Sequence, residues 1–319
     1  MVKPPVVLIT GSDLAAEAVA ILREFELVFA GKQPTETQLI DLCHQHNPVA
    51  ILVRYGKINA AVMDAAPALR VISKHGSGID VIDQQAAAAR QIRLCSAPGA
   101  NAAAVAEHTW ALILACAKSL LPLDARLRAG FWDKSTHKSI ELEGRVLGLI
   151  GLGAIGSRVA RIGNALGMRV VAYDPFAREL PPGCESVNKL ESLLAEADVV
   201  SLHCPLTESN REMINANTLA KCKPGAILVN TARGGLINEA ALADALQSGR
   251  LHWAALDSFS AEPLTAPHRW QGISNVILSP HIGGVSDASY IRMGTVAAQN
   301  ILAALQQTAI EDDVSLQSR

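Results

Sequence analysis

A chain of 319 residues, half of them hydrophobic and 18% charged, is too long for one ordinary core and suits two α/β domains with a large buried interior rather than disorder. Its formal net charge of −2, with both signs scattered, gives no electrostatic case for nucleic acid or an anionic membrane. The six cysteines, at 43, 95, 116, 184, 204 and 222, form no CxxC pair and read as buried reduced thiols in a cytoplasmic setting, and MVKPPVVLITG lacks the apolar region and cleavage site of a signal peptide.

In chain order, Pro5–Thr10 reads as a short buried strand, turned by Gly11 and Ser12 into a helix over Leu14–Phe25. Leu27–Phe29 is a second strand. Thr35–His46 is helical, with Thr37 as its cap. Pro48–Val53 is a strand, Met63–Leu69 is helical, and the strand Leu69–Ser73 runs into a glycine-bearing loop, Lys74–Gly78. An Ala-rich helix over Asp83–Arg90 and a strand over Ile92–Cys95 complete a small parallel-sheet domain by about residue 98. Pro98–Asn101 marks a break, with Asn101 capping a long apolar helix. Ala102–Leu121 is the most membrane-like stretch, but it contains Glu107, His108 and Lys118 and reads as a buried core helix. A polar, irregular piece runs through Glu143. Six strands then follow, at 145–151, 168–174, 197–203, 225–231, 251–256 and 275–279, the number a full dinucleotide domain uses. One amphipathic helix, Ser286–Gln307, ends the pattern.

The first turn of that second series is GLGAIG, Gly151 to Gly156, between an apolar run and a helical pattern, with a second apolar run ending in Asp174. That is the context the dinucleotide-binding fingerprint needs. Gly151 turns the chain sharply, Gly153 lets backbone approach a pyrophosphate, and Gly156 lets the helix pack closely. The residues between them, Ala154 and Ile155, open the helix whose N–H groups face the phosphates. Asp174 is expected to accept hydrogen bonds from the ribose hydroxyls and repel a 2′-phosphate, favouring NAD over NADP.

In a doubly wound sheet, ligands bind beyond the carboxyl ends of the strands. There the sequence places Cys204-Pro205-Leu206-Thr207, Ala232-Arg233-Gly234-Gly235, Asp257 with Glu262 shortly after, and Pro280-His281-Ile282-Gly283-Gly284. The set suits hydride transfer. His281 is the candidate acid/base, and Glu262 is the carboxylate that fixes its tautomer and raises its pKa. Arg233 offers the planar fork that a substrate carboxylate needs.

GLGAIGSRVA with YDP, KPGAILVNTARGGLINEAAL, AALDSFSAEPL and NVILSPHIGG together resemble the D-isomer-specific 2-hydroxyacid dehydrogenase family, over nearly the whole chain. The resemblance implies a Rossmann NAD-binding domain over 99–285. It also implies a smaller, discontinuous flavodoxin-like substrate domain over 1–98 and 286–319, hinged to close over substrate. It makes Arg233, Glu262 and His281 the catalytic set. It lines the cofactor site with Cys204, Pro205, Thr231, Ala232, Arg233, Asp257, His281, Gly283 and Gly284. Gly76, Ser77 and Gly78 would present N–H groups to the substrate carboxylate, and Arg54 and Lys74 resemble the basic positions of phosphoglycerate dehydrogenases. His75 stands where a small residue is common. Phosphoglycerate-type and hydroxypyruvate/glyoxylate-type acids are the expected substrates of an NAD-dependent enzyme that is a homodimer and has no metal. An NAD-sensing scaffold of the corepressor type is an alternative. A formate dehydrogenase is another, although that branch pairs its His with Gln.

Overall fold

The computed structural model describes residues 3–317, with side chains to residue 307; residues 1–2 and 318–319 of the expected substrate domain lie outside the described residues. The chain divides into two compact units, Met1–Asn101 with Val285–Arg319, and Ala102–Gly284.

The first unit runs β1 (Val6–Ile9), α1 (Ala16–Ile21), β2 (Glu26–Phe29), α2 (Glu36–His46), β3 (Ala50–Val53), α3 (Ala60–Asp64), β4 (Val71–Lys74), α4 (Gln84–Ala89) and β5 (Arg93–Cys95). Its sheet, in the order β2-β1-β3-β4-β5, is parallel throughout. Both faces are covered, which is why the strands read as unbroken apolar runs rather than alternating ones. Leu8, Ile51 and Ile72 pack on one side, and Val7, Ile9, Leu52 and Val71 on the other, where the C-terminal helix (Asp287–Gln317) supplies Ala297, Ala298 and Ile301. Each such fully buried Val, Leu or Ile contributes about 1.5–3 kcal/mol.

Local chemistry moved some boundaries. Thr35, rather than Thr37, caps α2: it accepts from Gln38 N, while the Gln38 side chain accepts from Thr35 N at 2.9 Å, a reciprocal capping box. The third helix lies at Ala60–Asp64, earlier than Met63–Leu69, because Asn59 caps it through Val62 N at 3.1 Å.

The second unit opens with α5 (Ala102–Ala117) and α6 (Leu120–Arg128), then continues β6 (Val146–Ile150), α7 (Gly156–Ala165), β7 (Arg169–Tyr173), β8 (Cys184–Ser186), α8 (Leu190–Glu196), β9 (Val199–Leu202), α9 (Ala216–Leu219), β10 (Ala226–Asn230), α10 (Glu239–Gln247), β11 (Leu251–Leu256) and β12 (Val276–Leu278). The single long helix expected here is two, bent by 59° at a break where Ser119 adopts a left-handed φ of 49°. No single helix among the described residues is long and apolar enough to cross a membrane. The parallel sheet has the order β12-β11-β10-β9-β6-β7-β8. Its seventh strand, β8, went unread because three residues at a sheet edge with the pattern Cys-Glu-Ser carry almost no apolar signal.

This topology places the site. The strand order reverses at β6, whose neighbours are β9 and β7, so a crevice opens beyond their carboxyl ends. The register aligns those ends: Ile150 pairs with Leu202, Leu202 with Asn230, Asn230 with Leu256, and Leu256 with Leu278. Every loop after these residues therefore emerges at one level on one edge.

Candidate active site

The glycine turn follows β6. Gly151 has φ +98°, and a Cβ there would lie 2.8 Å from backbone of His203 and Cys204, so the chain leaving β6 crosses the chain leaving β9 in backbone contact. A Cβ on Gly156 would lie 2.1 Å from Gly151 O, so this glycine is required by the turn itself. Close packing of α7 on the sheet falls instead to Gly163, where a Cβ would come within 2.7 Å of Leu147 Cδ2. Asp174 fastens the turn: its carboxylate accepts from Leu152 N at 2.7 Å and from Phe176 N at 2.9 Å. The cradle fits a pyrophosphate. A Cβ on Gly153 would meet nothing within 4 Å, leaving that side open. Ile155 at the N-cap gives α7 no side-chain cap, so the helix N-terminus keeps donors for an anion.

Beyond β9, burial pushes the His203 imidazole down to about 3 and the Cys204 thiol up to about 11. Both are neutral near pH 7, so Cys204 lines the turn as a small apolar side chain and not as a thiolate. Asn210 clamps this turn, donating to Pro205 O at 2.8 Å and accepting from Thr207 N at 2.7 Å.

Beyond β10, Asn230 does the same for the next loop. Fully buried, it accepts from Ala232 N at 3.0 Å and donates to Arg233 O at 2.9 Å. Thr231 is tied to α5 through Thr109 Oγ1 at 2.9 Å. Arg233, half-buried, donates through Nη1 to Ala232 O at 2.8 Å. The next residue must be glycine, since a Cβ on Gly234 would sit 1.9 Å from the Phe259 carbonyl carbon. That contact seats the Arg233 loop against the loop carrying Glu262.

Beyond β11 and β12 the acid/base pair is assembled. His281 Nδ1 lies 2.7 Å from Glu262 Oε2, and Glu262 Oε1 accepts from Phe259 N at 2.9 Å. The hydrogen bond to Glu262 raises the His281 pKa above the usual imidazole range, prevailing over burial and over the repulsion of Arg233. Burial alone would raise Glu262, but its hydrogen bonds with His281 and Phe259 N, with the charges of His281 and Arg233, hold it below the carboxylate range. Arg233 is thus close enough for its charge to act on both partners.

His281 holds φ +52°, a left-handed conformation costing a non-glycine residue about 1–2 kcal/mol. Asp257 supplies what holds it there. Only 2% exposed, it accepts from Ser279 Oγ at 2.6 Å, Ile282 N at 2.9 Å and Gly283 N at 2.8 Å. His108 of α5 braces the same point, with Nε2 3.0 Å from Ser279 Oγ. Asp257, expected to line the cofactor site, has its carboxylate committed to the His281 loop, because three donors of that loop converge on it. Asn210, Asn230, Ser279 and His108 were not singled out from the sequence. An Asn at the very end of a strand was the available signal for Asn230.

The first unit presents its own carboxyl edge. Arg54 follows β3, and its side chain is 11% exposed. It pairs with Asp13, and its guanidinium lies 5.3 Å from the Tyr55 ring and 5.0 Å from the Tyr290 ring. Lys74 Nζ donates to Val53 O, Arg54 O and His75 O, each at 3.3 Å. Both cations thus have partners within the first unit. Gly76 is buried with φ +130°, Gly78 is half-buried and Ser77 is exposed.

Comparison with known proteins agrees with this architecture. The family described as "D-isomer specific 2-hydroxyacid dehydrogenase, NAD binding domain" matches residues 110–283. A D-3-phosphoglycerate dehydrogenase of Mycobacterium leprae is 39% identical over 316 residues, 98% of this chain but 59% of that protein, so the chain spans well under two thirds of that relative. A hydroxypyruvate reductase of Thermotoga maritima is 42% identical over 247 residues, covering 77% of this chain and 80% of that protein. The crystal structure of the TT0316 protein from Thermus thermophilus superposes with a TM-score of 0.86 at 37% identity, covering 95% of this chain and 97% of that one. With a glycine turn at the topological switch point, an aligned row of strand-end loops and these relatives, the chain belongs to the D-isomer specific 2-hydroxyacid dehydrogenase family.

Proposed function

We propose that the protein interconverts a small D-2-hydroxy acid and its 2-keto acid with NAD(H), in the phosphoglycerate or hydroxypyruvate/glyoxylate class. The observation that carries this reading is the His281–Glu262 pair at 2.7 Å, under the charge of Arg233, on the same sheet edge as the glycine turn. Bound NAD(H) supplies or accepts the hydride at C2. Arg233 engages the substrate carboxylate with its planar fork. In the reducing direction, His281 gives the proton on Nε2 to the carbonyl oxygen. Its Nδ1–H, held on Glu262, fixes that orientation and stabilises the imidazolium before transfer. In the oxidising direction neutral His281 takes the hydroxyl proton back.

The test is NADH and NADPH oxidation by the purified protein over a panel of 2-keto acids. Turnover is expected with a short 2-keto acid and with NADH in preference to NADPH, since Asp174 repels a 2′-phosphate. Silence across the panel would overturn the reading.

The pair also sets the pH dependence. Reduction consumes the protonated imidazole, so its rate is full below the His281 pKa and falls as pH rises through it. The raised pKa places that fall above about 6.5, the unperturbed value. In Glu262→Gln the attraction is gone, and the falling limb is expected to move down by about 1 pH unit or more. A pH–rate profile that is the same in both proteins contradicts the assignment.

A further inference from the structure

Three consecutive side chains of α5 reach three different segments of the second unit. Successive helical residues point about 100° apart, and α5 packs against α7, β10 and β11, so neighbouring positions on it face different loops. His108 meets the loop after β12. The Ser279 hydroxyl donates to Asp257 Oδ1 at 2.6 Å, so it accepts from the His108 Nε2–H at 3.0 Å. The same loop presses on the imidazole: a Cβ on Gly283 would lie 3.1 Å from His108 Cδ2. Thr109 meets the loop after β10. Its fully buried hydroxyl donates to Val105 O at 2.8 Å, so the Thr231 hydroxyl donates to it at 2.9 Å. Trp110 meets the helix that follows the glycine turn, donating through Nε1 to Val159 O at 3.2 Å. Its ring lies over Gly163, where a Cβ would come 3.4 Å from the indole. Ser279 stands two residues before His281, and Thr231 stands two residues before Arg233.

We propose that His108 and Thr109 are positioning residues: one turn of α5 sets the spacing between His281 and Arg233 and holds both against the helix that follows the glycine turn. The inference rests on the activity proposed above and names two residues that assemble its site. Each acts through another residue, His108 through Ser279 and the Asp257 carboxylate, Thr109 through Thr231. The two links are chemically separate, so cutting each has its own kinetic signature. Loss of the first frees the proton donor, which enters the chemical step. Loss of the second frees the guanidinium fork, which enters the binding of the substrate carboxylate.

The experiment measures kcat and KM for hydroxypyruvate with NADH in variants of α5. His108→Leu keeps the bulk and donates nothing. It is expected to lower kcat about tenfold to a hundredfold with little change in KM, as a misplacement of about 1 Å requires. His108→Gln, whose amide N–H reaches as far as Nε2, is expected to recover most of that loss. Thr109→Val, the same shape without the hydroxyl, is expected to raise KM about tenfold, and Thr109→Ser to restore it. Ser279→Ala and Thr231→Val cut the same two links from their other ends. They are expected to repeat the pattern, and they stand in for any α5 variant that does not fold. Folded Leu and Val variants with wild-type constants, or Gln and Ser variants as damaged as these, overturn the proposal. If no 2-keto acid turns over in the wild type, the activity reading has failed, and the spacing is then read from the titration of His281 by NMR. His281 is expected to titrate lower in His108→Leu, where its bond to Glu262 loosens, and higher in Thr109→Val, where the repelling charge of Arg233 is no longer fixed nearby. Shifts that are absent, or of one sign in both variants, overturn it.

Discussion

Replacing His281 by alanine is expected to lower kcat for 2-keto acid reduction by about 10²–10⁴-fold, the contribution of a positioned acid/base, with NADH binding retained. The imidazole is the group at this edge with a pKa raised toward the working range and an orientation fixed from behind by Glu262. Because φ at this position is +52°, the better variant is His281→Asn, since asparagine tolerates the left-handed region. It keeps the loop on Asp257 but cannot carry the proton. Both variants are expected to lose activity alike, with melting temperatures close to the wild type. A loss smaller than tenfold in a folded variant would remove His281 from the role.

Gly234→Ala is expected to be nearly as damaging without touching a reacting group. The added methyl would fall 1.9 Å from the Phe259 carbonyl carbon, 2.1 Å from its oxygen and 2.4 Å from Ser260 N, all of them backbone. No side chain can rotate away, so the two loops must separate. Overpacking of this kind costs about 1–3 kcal/mol of stability, occasionally more. The Arg233 loop and the Phe259–Glu262 loop would then shift apart, and a displacement of about 1 Å costs on the order of 10²-fold in rate. The expected signature is a lowered melting temperature together with a fall in kcat/KM, and little change in NADH affinity, since the glycine turn lies elsewhere. Wild-type stability and activity in this variant would show that the loops do not depend on their contact.

These two residues also show what could be read in the sequence. Parallel strands covered on both faces read as apolar runs, so their ends, and hence the residues just beyond them, stand out. On that signal Arg233, Glu262 and His281 are legible as candidates together with the glycine turn. What stayed hidden was pairing across long stretches of chain. Tyr290 and Asp13 lie 277 positions apart and His108 and Ser279 lie 171 apart; no local pattern joins them. Amide clamps such as Asn230 look like ordinary strand-end polar residues until their hydrogen bonds are seen. The packing role expected of Gly156 belongs to Gly163 for a similar reason. Spacing shows that glycines are present, but only the distance from a would-be Cβ to Gly151 O or to Leu147 shows which backbone or side chain each one spares.

The proposed reaction is a hydride transfer to C2 of a 2-keto acid, with the proton delivered by His281. Its most direct test is reduction of hydroxypyruvate with NADH deuterated at the transferring position, followed by chiral analysis of the product and location of the label. The expected product is the D-2-hydroxy acid with one deuterium on C2. An L or racemic product, or deuterium absent from C2, would contradict it.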